Sequence, residues 1–218
     1  MAMKGDQVAK FVTFEGGEGS GKTTQIRLAA EWLRERGIPV LATAEPGGTP
    51  LGQKIREILL NRGAWTIGAE AELLLFAAAR AQHVRETILP ALAANQWVLC
   101  DRFADATFAY QGFGRGLDAK FVKSLNAFSS LSLVPDRTLL FDLSPEIGLA
   151  RAKRRVTGLR PEAAEDRFEQ EERAFHERIR KGYLTLAAAE PDRFRIIAAA
   201  GDLDTVRGEV RDQLECLF

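Results

Sequence analysis

The residues most able to do chemistry lie close to the amino terminus. Gly16-Gly17-Glu18-Gly19-Ser20-Gly21-Lys22-Thr23 fits the pattern G-x-x-x-x-G-K-[ST] without a mismatch. Glycines at such positions let successive backbone N–H groups turn inward as a nest for an anion, at dihedrals that side chains would obstruct. The lysine reaches the outer phosphates of a nucleoside triphosphate, and the hydroxyl after it can ligate magnesium. Those roles fall to Lys22 and Thr23, with Gly16 to Gly21 and Thr24 completing the cradle. An apolar strand (Phe11–Phe14) precedes the loop. The amphipathic helix after it would point its positive dipole end at the phosphates. Binding of ATP or GTP is the expected chemistry.

Three further features bear on what happens to the phosphate. Glu18 puts a carboxylate among the phosphate-binding amides, where it would repel phosphate if it pointed inward. It either faces solvent or points across the site to accept a hydrogen bond from a second substrate's hydroxyl. Asp101-Arg102 ends a strand and reads in two ways. It is a surface ion pair, or Asp101 holds magnesium through water while Arg102 clamps a phosphate. Finally, Arg151, Lys153, Arg154, Arg155, Arg160 and Arg167 surround Gly158 and Pro161. Taken alone, such a run is as readily a solvated face. A GTPase would be expected to carry an Asn-Lys-x-Asp string after a strand, and the chain has none.

These groups need elements to position them. Short apolar runs alternate with longer amphipathic stretches, the pattern of a parallel sheet covered by helices. Strands are expected at about 10–15, 39–44, 97–101, 137–143 and 194–199. Helices are expected at 22–36, 50–60, 69–94 (kinked or broken at Pro90), 118–131, 145–155, 167–190 and 204–217. Tyr110–Gly116 holds three glycines in seven residues and reads as a mobile or tightly turned loop. The fold class is therefore α/β: a three-layer fold of the P-loop NTPase type. Its parallel sheet has about five strands, helices cover both faces, and an arginine-rich lid spans about 151–167. The whole chain, 1–218, reads as one domain.

Composition narrows the partners. The 218 residues are 46% hydrophobic and 28% charged, ordinary values for a chain with a buried core. Thirty basic and thirty acidic side chains cancel, which argues against coating nucleic acid or an anionic membrane. Cys100 and Cys216 lack metal-ligand spacing and cannot form a disulfide framework, so a reducing compartment is expected, with Cys100 as packing. No apolar run reaches the 18 or so residues of a spanning helix, and Met1–Lys10 lacks the apolar core of a signal peptide. The expectation is a cytoplasmic chain with neither nucleic acid nor membrane as partner.

Five strings in order give the chain a specific resemblance. They are Phe14–Thr24, Glu45-Pro-Gly-Gly-Thr49, Phe76-Ala-Ala-Ala-Arg80-Ala-Gln-His83, Asp101-Arg-Phe103 with Thr107 and Ala109-Tyr-Gln-Gly112, and Asp166-Arg-Phe-Glu169. Together they resemble the bacterial thymidylate kinases, which transfer the terminal phosphoryl group of ATP to dTMP. The resemblance implies that Phe76, by its residue type alone an ordinary core position, stacks on the thymine, with Arg80 at a base carbonyl. It makes Thr107 and Gln111 the polar pair near the base, and packs Tyr110 against the deoxyribose. Arg102 would clamp the monophosphate, Glu18 would meet the 3′-hydroxyl, and Glu45 with Pro46 would form the turn beside the monophosphate. Asp101 and Thr23 would attend the magnesium. Because the phosphate loop has no basic residue between Gly16 and Lys22, the lid would supply it, Arg155 first, then Arg151 and Arg160. Two departures are visible. Ala44 stands where many members carry arginine before Glu-Pro-Gly-Gly, and Phe103 where tyrosine or histidine is common.

The expected reaction is thus ATP and dTMP giving ADP and dTDP, in the synthesis of dTTP, with ATP and Mg2+ required and a homodimer as the assembly. Two rivals stand beside it. One is a kinase of a nucleoside or of another nucleoside monophosphate. The other is a nucleotide-dependent switch ATPase, which would leave Phe76, Arg80 and Tyr110 without a purpose.

Overall fold

A computed structural model describes residues 8–60, 66–157 and 167–218, without the side chains of 155–157. Five parallel strands form its centre: β1 (Phe11–Glu15), β2 (Val40–Ala44), β3 (Trp97–Asp101), β4 (Arg137–Asp142) and β5 (Phe194–Ala198), in the order β2-β3-β1-β4-β5. Each lies within a residue of where the apolar runs place it. Buried on both faces, the strands read as nearly continuous apolar runs, as parallel strands do.

Side chains alternate between two cores. Val12, Phe14, Leu99, Leu139, Phe141 and Ile197 face α1 (Lys22–Glu35) and α9 (Leu203–Glu215), with Phe14 stacked on Phe141 at 5.8 Å. On the opposite face Phe11, Val98 and Cys100 meet Val84, Ile88 and Phe103, while Leu140 and Phe194 meet Phe175, Ile179 and Tyr183 of α8 (Arg173–Ala189). Fully burying one such side chain contributes about 1.5–3 kcal/mol. The two layers therefore hold the sheet far more firmly than strand propensity could.

The chain reverses direction across the sheet at β1, so a crevice opens beyond its carboxyl end, where ligands bind in such sheets. Register brings Phe14 opposite Asp101 and Ala44 opposite Asp101. The ends of β1, β2 and β3 thus meet at one point.

The remaining helices are α2 (Pro50–Leu60), α3 (Ala69–His83), α4 (Leu89–Ala93), α5 (Ala104–Thr107), α6 (Ala119–Ser129) and α7 (Pro145–Thr157). The helical run expected at 69–94 does not break at Pro90. A wide π turn, Val84–Ile88, joins α3 to α4, and Pro90 falls in the first turn of α4. The widened turn relieves the clash between a proline ring and the preceding carbonyls. The run at 167–190 divides into a 3-10 turn, Arg167–Gln170, and α8.

One expectation is overturned. Tyr110–Gly116 is no loop: Phe108–Gly114 continues α5 as a wide helical turn, with Tyr110, Gln111 and Gly114 buried. A Cβ on Gly114 would stand 2.7 Å from the Phe175 ring, so this glycine lets the segment lie directly on α8. Packing outweighs the poor helix propensity of glycine here.

Candidate active site

The loop between β1 and α1 turns through left-handed backbone at Gly16, Gly19 and Gly21. It is braced from outside by α7. A Cβ on Gly19 would lie 2.0 Å from the Gly148 carbonyl oxygen, and one on Gly148 would lie 2.3 Å from that of Glu18. Only two glycines allow that backbone-on-backbone contact. Lys22 folds back over the loop, its Nζ donating to the carbonyls of Gly16 (3.0 Å) and Gly17 (2.8 Å) and to Ser20 Oγ (3.1 Å). Burial, then the charge of Arg102, pushes its pKa down to about 8 against the pull of Asp101, Glu18 and Glu15.

Thr23 Oγ1 donates to Asp101 Oδ2 at 2.8 Å. The pair is all-oxygen and suits magnesium, which takes few protein ligands and fills its shell with water and substrate phosphates. Among the described residues no cluster of three or more His, Cys, Asp or Glu is placed to hold a metal. Glu18 to Thr24, Ala44, Asp101 and Arg151 line a cleft of about 970 Å³ over this loop. Arg151 Nη1 donates to the Ala199 carbonyl at 2.8 Å.

Arg102 stands at the cleft's inner end with a left-handed backbone (φ 69°). Its Nη1 donates to the Gly16 carbonyl (2.9 Å) and the Tyr183 hydroxyl (3.3 Å), and its Nη2 to Glu18 Oε1 (2.8 Å). The Tyr110 hydroxyl donates to the same Glu18 oxygen at 2.5 Å. Glu18 therefore points across the site, away from the phosphate nest. Burial raises its pKa, but Arg102, Lys22 and the Tyr110 hydrogen bond outweigh that and hold it at about 2. Behind Arg102 lies Glu15, fully buried. Its Oε1 accepts from the Phe103 N–H and its Oε2 from the Tyr183 hydroxyl, each at 2.7 Å. Burial, then the charge of Asp105, pushes the Glu15 pKa up to about 8.

A second cavity, about 500 Å³, adjoins the cleft. Phe76, Tyr110 and Phe168 supply its aromatic wall, with Phe76 and Phe168 6.2 Å apart. Thr107, Gln111 and Pro46 also line it. Four residues, Glu18, Glu45, Arg56 and Arg102, line both spaces. The two spaces therefore open onto each other across a common wall.

Arg80 lies behind this wall, 1% exposed. Its donors reach Glu45 Oε2 (2.9 Å), Asn126 Oδ1 (2.8 Å), the Phe103 carbonyl (3.1 Å) and Thr107 Oγ1 (2.7 Å). It supports the cavity through Thr107 and Glu45, and it does not line the space itself. Glu45 also meets His83 Nδ1 at 3.0 Å.

Of the residues expected from sequence, the structure brings Lys22, Thr23, Asp101, Arg102 and Glu18 to one cleft, and Phe76, Thr107, Tyr110 and Gln111 to the adjoining cavity. Gly16 and Gly17 serve through their carbonyls, which hold Lys22 and Arg102. The Arg155 side chain and Arg160 lie outside the described residues, so of the three lid arginines expected to supply charge only Arg151 is described, while Arg167 at the far end of the lid is held by Glu72 and the Leu59 carbonyl. Sequence reasoning missed Arg56 and Tyr183, and gave no role to Glu15 and Phe168 although both lie in strings it singled out. Arg56 donates to the Pro46 carbonyl at 2.9 Å and brings a cation to the turn where Ala44 provides none. Its only signal was position, one residue after the buried Ile55 on α2.

A glycine-rich loop after β1 with a second charged and aromatic cavity opening from its cleft fits a phosphotransferase of the P-loop class. Comparison with known proteins narrows this. The family model described as thymidylate kinase matches residues 14–210. The thymidylate kinase of Syntrophus aciditrophicus is 59% identical over 210 residues, 96% of either chain, and that of Geobacter sulfurreducens 50% over 204 residues, 94% of this chain and 95% of the other. The crystal structure of thymidylate kinase from Ehrlichia chaffeensis superposes with a TM-score of 0.74 at 33% identity, covering 94% of this chain and 98% of that one. The chain belongs to the thymidylate kinase family.

Proposed function

We propose that the chain, as one domain, transfers the terminal phosphoryl group of ATP to dTMP, giving ADP and dTDP for dTTP synthesis. The single observation carrying this reading is the set of four residues shared by the two cavities. Glu18, Glu45, Arg56 and Arg102 stand where an acceptor monophosphate would meet the end of a triphosphate. The aromatic wall of the cavity suits a flat base.

The acceptor phosphate is already ionised at neutral pH, so no strong base is required. One phosphate oxygen of dTMP bonds to the γ-phosphorus as the bond to the ADP oxygen breaks, in line. Arg102 and Arg56 hold the acceptor, Lys22 and the loop amides hold the donor, and positioning with charge stabilisation lowers the barrier. Glu18, directed across the site, takes the 3′-hydroxyl, and Tyr110 beside it crowds a 2′-hydroxyl. Thr23 and Asp101 would hold magnesium, which would offset negative charge on the phosphates. Lid arginines, Arg155 first, supply the remaining cation and exclude water from the transfer.

The same reading makes the chain a cytoplasmic homodimer. Leu74 on α3 and Phe121 and Phe128 on α6 stand 55%, 56% and 79% exposed on two helices that pack together, an apolar surface that a second copy would cover. Among the described residues no helix is long and apolar enough to cross a membrane.

The test is ADP release from ATP and magnesium with dTMP, dUMP, dCMP, dGMP, thymidine or no acceptor. Turnover with dTMP within roughly 1–100 s⁻¹, far above the blank, is expected. Slow release that ignores every acceptor would put the switch ATPase in its place.

A further inference from the structure

Two polar side chains of the cavity wall, Thr107 and Gln111, sit about one helical turn apart, and each is held from behind by a buried charge. Arg80 Nη2 donates to Thr107 Oγ1 at 2.7 Å. A guanidinium accepts nothing in return, so the Thr107 hydroxyl keeps its own proton for the cavity. Gln111 is held by Glu72 of α3, whose carboxylate is 0% exposed: Gln111 Nε2 donates to Glu72 Oε1 at 2.7 Å. A carboxylate only accepts, so the amide must turn its NH2 toward Glu72 and its carbonyl oxygen away. That oxygen carries no hydrogen bond among the described residues and belongs to a side chain that lines the cavity. Glu72 is itself gripped by Arg115 Nη2 (3.1 Å) and Arg167 Nη2 (2.7 Å).

We propose that Glu72 is a specificity-determining positioning residue: by fixing the Gln111 amide, it makes the base-reading wall a donor, Thr107 O–H, beside an acceptor, Gln111 C=O. The complement of that wall is a ring carbonyl next to a ring N–H. Thymine and uracil present this at O4 and N3. Cytosine presents the opposite, an amino donor beside a bare ring nitrogen: the Thr107 hydroxyl can still accept from the amino group with its second lone pair, but the Gln111 carbonyl would face the nitrogen lone pair, so the fixed amide carries the rejection. This rests on the reading that the cavity takes a pyrimidine nucleoside monophosphate, and it assigns the rejection of dCMP to a residue that no base would touch.

The test compares kcat/KM for dTMP, dUMP and dCMP in the wild type and in Glu72→Gln. Arg115 keeps Glu171 at 2.7 Å and Arg167 keeps the Leu59 carbonyl at 3.1 Å, so neither cation is stranded by the change. A glutamine at 72 lets the Gln111 amide turn either way, and the preference for dTMP over dCMP should shrink by about tenfold or more. The dTMP-to-dUMP ratio and the KM for ATP should not move, because both bases present the same edge. Loss of dTMP and dCMP turnover by one common factor would overturn the proposal, since a merely structural role predicts that. If Glu72→Gln does not fold, Gln111→Met in the otherwise native chain serves. It should cost dTMP and spare dCMP, and equal losses would overturn the proposal. A wild type active on no pyrimidine monophosphate would overturn the assignment beneath it, and the inference with it.

Discussion

Glu18 and Arg102 meet at 2.8 Å across the mouth shared by the cleft over the glycine-rich loop and the adjoining aromatic cavity. Each is the other's nearest charge, and each lines both spaces. In Glu18→Gln the Tyr110 hydroxyl keeps an acceptor, but the carboxylate is lost. The kcat/KM for dTMP should fall roughly 10–100-fold, with a smaller change in the KM for ATP. The 3′-deoxy analogue of dTMP separates the causes. If Glu18 serves the 3′-hydroxyl, the variant and the missing hydroxyl should not add. Full additivity would remove Glu18 from sugar recognition.

Lys22 titrates near pH 8 because it is buried beside Arg102. A bound triphosphate supplies the negative charge that restores its proton. Nucleotide binding at about pH 8 should therefore take up a proton, and the calorimetric binding enthalpy should vary with the buffer's ionisation enthalpy. At about pH 6.5 that dependence should fade. Equal enthalpies in all buffers at the higher pH would contradict the assignment.

Glu15 carries a folded-state pKa raised from 4.5 to about 8. Between those values the folded chain binds more protons at this site than the unfolded one, so its contribution is full at acid pH and is lost as pH rises toward 8. Glu15→Gln removes the titration. Measured by denaturant unfolding, its stability relative to wild type should improve steadily from about pH 5 to about pH 8. A constant offset across that range would show that Glu15 does not titrate there.

Gly148 touches the phosphate loop through backbone alone. In Gly148→Ala the new methyl would meet the Glu18 carbonyl oxygen at 2.3 Å, so the loop must shift. Both the KM for ATP and kcat should suffer, by roughly tenfold or more, because a displacement of about 1 Å can cost 10²-fold. Unchanged ATP kinetics would mean that the loop is not braced by α7.

The strands were legible because apolar side chains on both faces of a parallel strand leave a nearly unbroken run, as in Phe11–Phe14, interrupted only by Thr13, and Trp97–Cys100. The phosphate loop was legible because its glycines, Lys22 and Thr23 are contiguous. What could not be read depends on meetings between distant segments. Glu15 and Glu72 look like ordinary acids in the sequence, and only the packing of α8 and of the Phe108–Gly114 turn gives them partners. The resemblance implied that Arg80 meets a base carbonyl, and nothing in the sequence showed that its donors also reach Glu45, Asn126, the Phe103 carbonyl and Thr107. Gly112, Gly114 and Gly116 suggested a loop because propensity is local, whereas the contact of Gly114 with Phe175 is not.

The most direct test of the account is 31P NMR of the purified protein with ATP, magnesium and dTMP. The account predicts that the γ-phosphate signal of ATP is replaced by the β-phosphate of dTDP, with ADP and dTDP rising in equal amounts and little inorganic phosphate. Inorganic phosphate rising with ADP while dTMP stays intact would contradict it.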